Sequence, residues 1–124
     1  MLSASVTYGA DNEIYVDQSG TGANIDLEQL GISNIIGGLN STAGSLTAFD
    51  LDGTSMTLDI NMIGATNKFL GDINADNFTG LYNFTGGTNT FTIQVDPTNT
   101  YSTDGSDQNI AVTGSSNTFT LNQG

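Results

Sequence analysis

The side chains able to do chemistry in this sequence are almost all carboxylates. Thirteen Asp and Glu stand against one cation, Lys68, and the chain has no Arg, no His and no Cys. Thiolate nucleophiles, thiolate metal sites and disulfides are therefore excluded, as is any base whose ordinary pKa lies near neutrality. Two carboxylate pairs are close in sequence, Asp50 with Asp52 and Asp104 with Asp107. Paired acids serve glycoside hydrolysis when burial or like-charge repulsion drives their pKa values apart. Both pairs sit beside glycines, Gly53 and Gly105, where Asp is favoured because it bonds its own backbone in a turn. No cleft motif accompanies them, so the sequence reads as that of a non-enzyme without a cofactor.

Acid-rich turns with free backbone carbonyls also suit a hard cation. In AFDLDGT, Ala48 to Thr54, Asp50 and Asp52 are the calcium candidates, but the stretch lacks the third acid and closing Glu of an EF-hand loop. The Gly-Gly-x-Gly-x-Asp repeat of calcium-binding rolls is absent too. At a spacing of twenty-two residues, Glu28, Asp50 and Asp72 fall in one column, whose repulsion a cation would relieve. Such a row is otherwise simply solvated.

The net charge of −12 leaves nothing to neutralise phosphates or anionic lipid, so nucleic acid and direct membrane binding are excluded as roles. The same charge keeps a repetitive chain soluble. The opening stretch MLSASVTYGADNE has no basic region and no long apolar run, so a signal peptide is not expected at Met1.

What positions these acids is a repeat. Gly9, Gly20, Gly31, Gly53, Gly64 and Gly86 share one eleven-residue register, with Thr42 and Ala75 in its two gaps. The figure Gly-x-x-Asn-x-Phe, with Ile in place of Phe in the first two copies, recurs at Gly9/Asn12, Gly31/Asn34, Gly64/Asn67, Gly86/Asn89 and Gly114/Asn117. Fixed internal periods mark stacked supersecondary units. Between the glycines, apolar and polar residues alternate, as in Ile14-x-Val16, Leu58-x-Ile60 and Phe91-x-Ile93, which is the period of a half-buried strand. Gly and Asn tolerate left-handed backbone angles, so the Gly-x-x-Asn segments and Gly20 are read as turns. Each unit is one strand plus one turn, and two units make a coil. The expected fold is all-β, a parallel two-sheet β-solenoid built on 11/22-residue repeats, in a single repeat domain spanning residues 1–124.

One position changes character along the chain. Gln18, Gln29 and Asn40 give way to Leu51, Met62, Ile73, Phe84 and Val95. Stacked amides can hydrogen-bond to their own copies, so residues 1–40 read as an amide-ladder part and 41–95 as repeats with an apolar core. Residues 96–109 break the register as a loop insertion, and 110–124 resume it as C-terminal strands. The stretch around Phe119, Thr120 and Leu121 carries a complete alternating pattern and no charge. An uncapped strand pairs with a neighbour, so these residues are the expected assembly interface. Three Asn-x-Thr triplets, and Thr-x-Thr pairs such as Thr90/Thr92 and Thr118/Thr120, are no more than an Asn- and Thr-rich chain produces.

The segment EIYVDQSGTGANIDLEQLGISN, Glu13 to Asn34, resembles the curlin repeat, with Gln18, Gly20, Asn24 and Gln29 matching and Asn24 one place late. The resemblance implies a two-sheet β-solenoid subunit of an extracellular fibre. Curlin subunits are exported behind a signal peptide, whereas the chain is also similar to curlin-like virion proteins of marine tailed phages, which leave by lysis. The resemblance therefore implies a structural phage virion protein, a capsid decoration, fibre or spike component. A secreted curli-like fibre or adhesin subunit at the cell surface is the alternative. In either setting the expected partners are further copies or other virion or fibre proteins, joined through strand edges as a homo-oligomer.

Overall fold

Alternation dictates what the backbone does. In the computed structural model, which describes residues 2–3, 11–37, 49–95 and 105–123, these residues form ten strands and no helix. They are β1 (Leu2–Ser3), β2 (Asp11–Ile14), β3 (Asp17–Thr21), β4 (Asn24–Ile36), β5 (Phe49–Thr54), β6 (Thr57–Asp76), β7 (Thr79–Thr85), β8 (Thr88–Val95), β9 (Asp107–Thr113) and β10 (Ser116–Gln123). Along β6, Leu58, Ile60 and Met62 are buried while Asp59 and Ile63 are exposed. The protein is all-β.

Every strand pairing among the described residues is parallel. The long strands β4 and β6 join the pairings into one sheet. β6 pairs with β5, β7 and β8 twenty-two residues away, as β2 does with β4. β3 pairs with β5, and β4 with β6, at thirty-three. β7 pairs with β9, and β8 with β10, at twenty-eight.

These offsets correct two expectations. The eleven-residue register holds through this region, with Gly20 opposite Gly53 and Gly31 opposite Gly64. The twenty-two-residue step, however, is not uniform, because the chain is eleven residues longer between Ile36 and Phe49 than between their partners Phe69 and Gly71. Thr42 and Asn40 belong to that stretch and lie outside the described residues. The second break is shorter than expected: the extra residues fall between Val95 and Asp107, and the last three residues of the 96–109 segment are already strand β9.

Aligned apolar residues form columns in the interior. Ile36, Phe69, Phe91 and Phe119 make one, Ile25 and Leu58 begin another, and Leu27, Ile60, Tyr82 and Ile110 a third. Rings pack both along a column and between columns, with centroids 4.7 Å apart for the aligned Phe91 and Phe119 and 4.8 Å for Phe84 and Phe91 on the consecutive strands β7 and β8. Each fully buried Leu, Ile or Phe contributes about 1.5–3 kcal/mol over exposure. The columns lose cover at the C-terminal end. Phe119 and Leu121 are aligned with the buried Phe91 and Ile93, yet they are 47% and 38% exposed, and no described strand lies beyond them.

Candidate functional site

Register brings the five asparagines of the Gly-x-x-Asn figure into one column: Asn12 lies opposite Asn34, Asn34 opposite Asn67, Asn67 opposite Asn89 and Asn89 opposite Asn117. A carboxamide offers two N–H groups and one carbonyl, enough to bond along a column and sideways together. The Asn34 Nδ2 donates to Asn67 Oδ1 at 3.0 Å, Asn67 Nδ2 to Asn89 Oδ1 at 2.8 Å, and Asn89 Nδ2 to Asn117 Oδ1 at 2.9 Å. Each also donates to backbone carbonyls, Asn34 to Ile63 at 3.0 Å, Asn67 to Thr85 at 3.1 Å and Asn89 to Thr113 at 3.3 Å. Asn34, Asn67 and Asn89 are buried, while Asn117 is exposed and donates to the Gly114 carbonyl at 3.3 Å. Every bond points the same way, so the column is a polarised chain of amides.

The glycines of the same figure serve this column for a reason other than the one expected. None of Gly31, Gly64, Gly86 and Gly114 has a positive φ. A Cβ on Gly64 would instead strike the Gly31 carbonyl oxygen and lie 2.7 Å from Asn34 Nδ2. The same holds for Gly86 against Gly64 and Asn67, and for Gly114 against Gly86 and Asn89. Backbone stacks directly on backbone here, and the ladder amide occupies the space a side chain would need. Gly9 lies outside the described residues.

Left-handed backbone occurs in a different column. Gly22, Ser55, Asn77 and Gly105 have φ of 73°, 55°, 50° and 75°. Gly22, Ser55 and Asn77 follow directly on Thr21, Thr54 and Asp76, which are aligned by register, and Gly105 stands two residues before Asp107 as Asn77 does before its partner Thr79. The Gly22 and Ser55 amides extend the pairing to the Thr54 and Asp76 carbonyls at 2.9 and 2.8 Å. Gly20 also has a positive φ, 135°, and is stacked beneath Gly53 at 148°.

Of the amide ladder expected from Gln18, Gln29 and Asn40, no bond joins Gln18 and Gln29 among the described residues, and Asn40 lies outside them. Eleven residues apart, the two Gln fall on different strands of a two-unit coil, and the unmatched eleven residues set Gln18 opposite Leu51 and Gln29 opposite Met62. Gln18 Nε2 bonds its neighbour's carbonyl, Ser19 O, at 3.0 Å, and Gln29 Nε2 bonds Ile35 O at 3.3 Å. The same slip moves Glu28 out of the acidic column. It lies opposite Asn61, whose Nδ2 donates to Glu28 Oε2 at 3.2 Å.

The acidic column that does form is Asp17, Asp50 and Asp72, continued by Gln94. Asp52 stands beside it, accepting from Asn74 Nδ2 at 3.0 Å. Burial, then repulsion from Asp52, Asp72 and Asp17, pushes the Asp50 carboxyl up to about 6. Burial and Asp52 raise Asp72 as well. No group of three or more acids, His or Cys converges on a metal position among the described residues, and Asp104 lies outside them.

Phe119, Thr120 and Leu121 pair with Phe91, Thr92 and Ile93 of β8, and β10 pairs with no other strand. All eight residues of β10 are exposed. The column of aligned asparagines was present in the sequence as a spacing; its hydrogen bonding was hidden because the figure was read as turn chemistry. Comparison with protein-family models, with curated proteins and with solved structures finds no match.

Proposed function

We propose that the chain is a non-enzymatic structural subunit, a parallel two-sheet β-solenoid that associates within a phage virion as a capsid decoration, fibre or spike component. Successive coils of the solenoid would open at Leu2, Asn24, Thr57, Thr79 and Asp107, the starts of strands that stack in register. At the spacing of paired strands this makes a short rod of about 24 Å.

The observation that carries the reading is the continuous Asn34–Asn67–Asn89–Asn117 bond chain. It commits Asn34, Asn67 and Asn89, three of the four buried polar residues among those described, to bonds between aligned strands, which supports a structural part for them. An inventory of carboxylates, hydroxyls and amides with one Lys is consistent with that. The virion setting rests on the resemblance of Glu13 to Asn34 to curlin-like repeats.

Proteomics of purified particles from the source phage tests the setting. The protein should copurify through a density gradient at a copy number set by capsid or tail symmetry. Its recovery instead from cell-surface filaments in phage-free cultures would support the secreted-fibre alternative and overturn this one.

A further inference from the structure

The carboxylates are not spread evenly. All thirteen lie at or before Asp107, and the rest of the chain carries no charge of either sign. Outward columns follow the same trend: Asp17, Asp50 and Asp72 lead to Gln94 and Asn122, while Asp26 and Asp59 lead to Leu81 and Asn109. The end of the stack formed by β9 and β10 is thus the neutral end. It is also the apolar one, with Phe119 and Leu121 exposed and Ile110 and Val112 only partly buried. Among the described residues each of the two strands pairs on one side only, β9 with β7 and β10 with β8, which leaves two backbone edges without a strand partner there.

Resting on the reading of the chain as a self-associating subunit, we propose that the partner of this end is the same end of a second copy, related by a twofold axis, with β10 pairing antiparallel to β10. Charge decides between the possible faces. Stacking the neutral end on the opposite end of another copy would bring it to the strands bearing Asp11, Glu13, Asp17, Asp26 and Glu28, with no cation on either side to compensate. Joining neutral end to neutral end keeps both acidic regions apart and brings Asp107 as the only charged residue of either strand. An isologous contact of this kind closes after two copies, whereas a head-to-tail one continues into a filament. Open edges acquire partners for their N–H and C=O groups, and the exposed Phe119 and Leu121 are covered.

Sedimentation equilibrium on the intact chain, together with a Thr120→Cys variant under mild oxidation, tests this. The chain should form a dimer that does not grow with concentration, and Thr120→Cys should give a covalent dimer at high yield, since the twofold places each Thr120 near its own copy. The dissociation constant should shift less than about threefold between ~50 and ~500 mM salt, because the acidic regions lie beyond the Debye length. Phe119→Asp should abolish dimerisation with an unchanged circular dichroism spectrum. Polymers lengthening with concentration and salt, with no Thr120 cross-link, would show head-to-tail stacking and overturn the proposal. A monomer at all concentrations would overturn it too, while recovery of that monomer in virions would leave the structural function standing.

Discussion

Two columns of this molecule use glycine for opposite reasons. In the Gly-x-x-Asn column, Gly64, Gly86 and Gly114 have ordinary backbone angles and no room: a Cβ would meet a stacked carbonyl and a ladder amide. In the left-handed column, Gly22 has a positive φ of 73° and nothing within 4 Å of an added Cβ. The first column is limited by space and the second by backbone conformation. That is why the second tolerates Ser55 and Asn77, which accept the angle at modest cost, while every described position of the first is glycine. Repetition of a residue type in a sequence therefore does not identify the force that requires it.

The sharpest test of this contrast is Gly86→Ala. The obstacle is backbone and cannot rotate away, so the variant should lose more than about 4 kcal/mol or fail to fold, as measured by chemical denaturation. Wild-type stability in this variant would break the steric account. Next in size is Asn67→Ala, which strands the Asn89 carbonyl and the Thr85 carbonyl in the interior and should cost about 3 kcal/mol. Asn117→Ala, at the exposed end of the same column, should cost under about 0.5 kcal/mol. Equal losses in the two would mean that burial does not set the strength of the ladder.

Gly22→Ala should lose about 1–2 kcal/mol from backbone strain alone. Ser55→Gly, in the same column, should gain up to about 1 kcal/mol by relieving that strain. A loss for Ser55→Gly would show that its angle is held by other bonds. The smallest effect concerns the acids that precede the left-handed column on β3, β5 and β6. Asp50 has its pKa pushed up to about 6, above the value of 3.8 it has when free, so the folded state binds the proton more tightly than the unfolded state. This contribution to stability is full below the unfolded value and is lost as pH rises through about 6. The melting temperature should fall across that window, and Asp50→Asn should flatten the fall. A melting temperature that climbs steadily from pH 4 to 7 in the wild type would contradict the assignment.

The parallel stacking and its twenty-two-residue step were readable because alternation is a local signal and burial of one face fixes register. Val16, Ile25, Leu27, Leu58, Ile60, Phe69, Ile73, Phe91 and Ile93 are buried as their alternation required. Partners were harder to read. Nothing local marks a change of step from twenty-two to thirty-three residues between Ile36 and Phe49, and that single slip separated Glu28 from Asp50. Asn34 and Asn67 were visible as a motif, yet a turn and a ladder make the same demand on composition. Only the direction of the side chain distinguishes them. Ser55 and Asn77 offered no such motif, because a left-handed column accepts four different occupants in Gly22, Ser55, Asn77 and Gly105 without a shared spelling.

The polarised amide column also sets how the molecule ages. Asparagine deamidates when its own carboxamide is attacked by the next backbone nitrogen, which requires water, freedom to rotate and a small following residue. Asn34, Asn67 and Asn89 are buried and hydrogen-bonded within the column, so they are shielded from that reaction. Asn117 is exposed, held by the bond it accepts from Asn89 at 2.9 Å and the one it donates to the Gly114 carbonyl at 3.3 Å. Chemical wear should therefore begin at the exposed end, where conversion to aspartate replaces the donor on the Gly114 carbonyl with a negative oxygen that repels it, while the Asn89 amide can still donate to the new carboxylate. Peptide mapping of stored protein should find the first conversion of the four at Asn117, which makes that residue a clock for the whole stack.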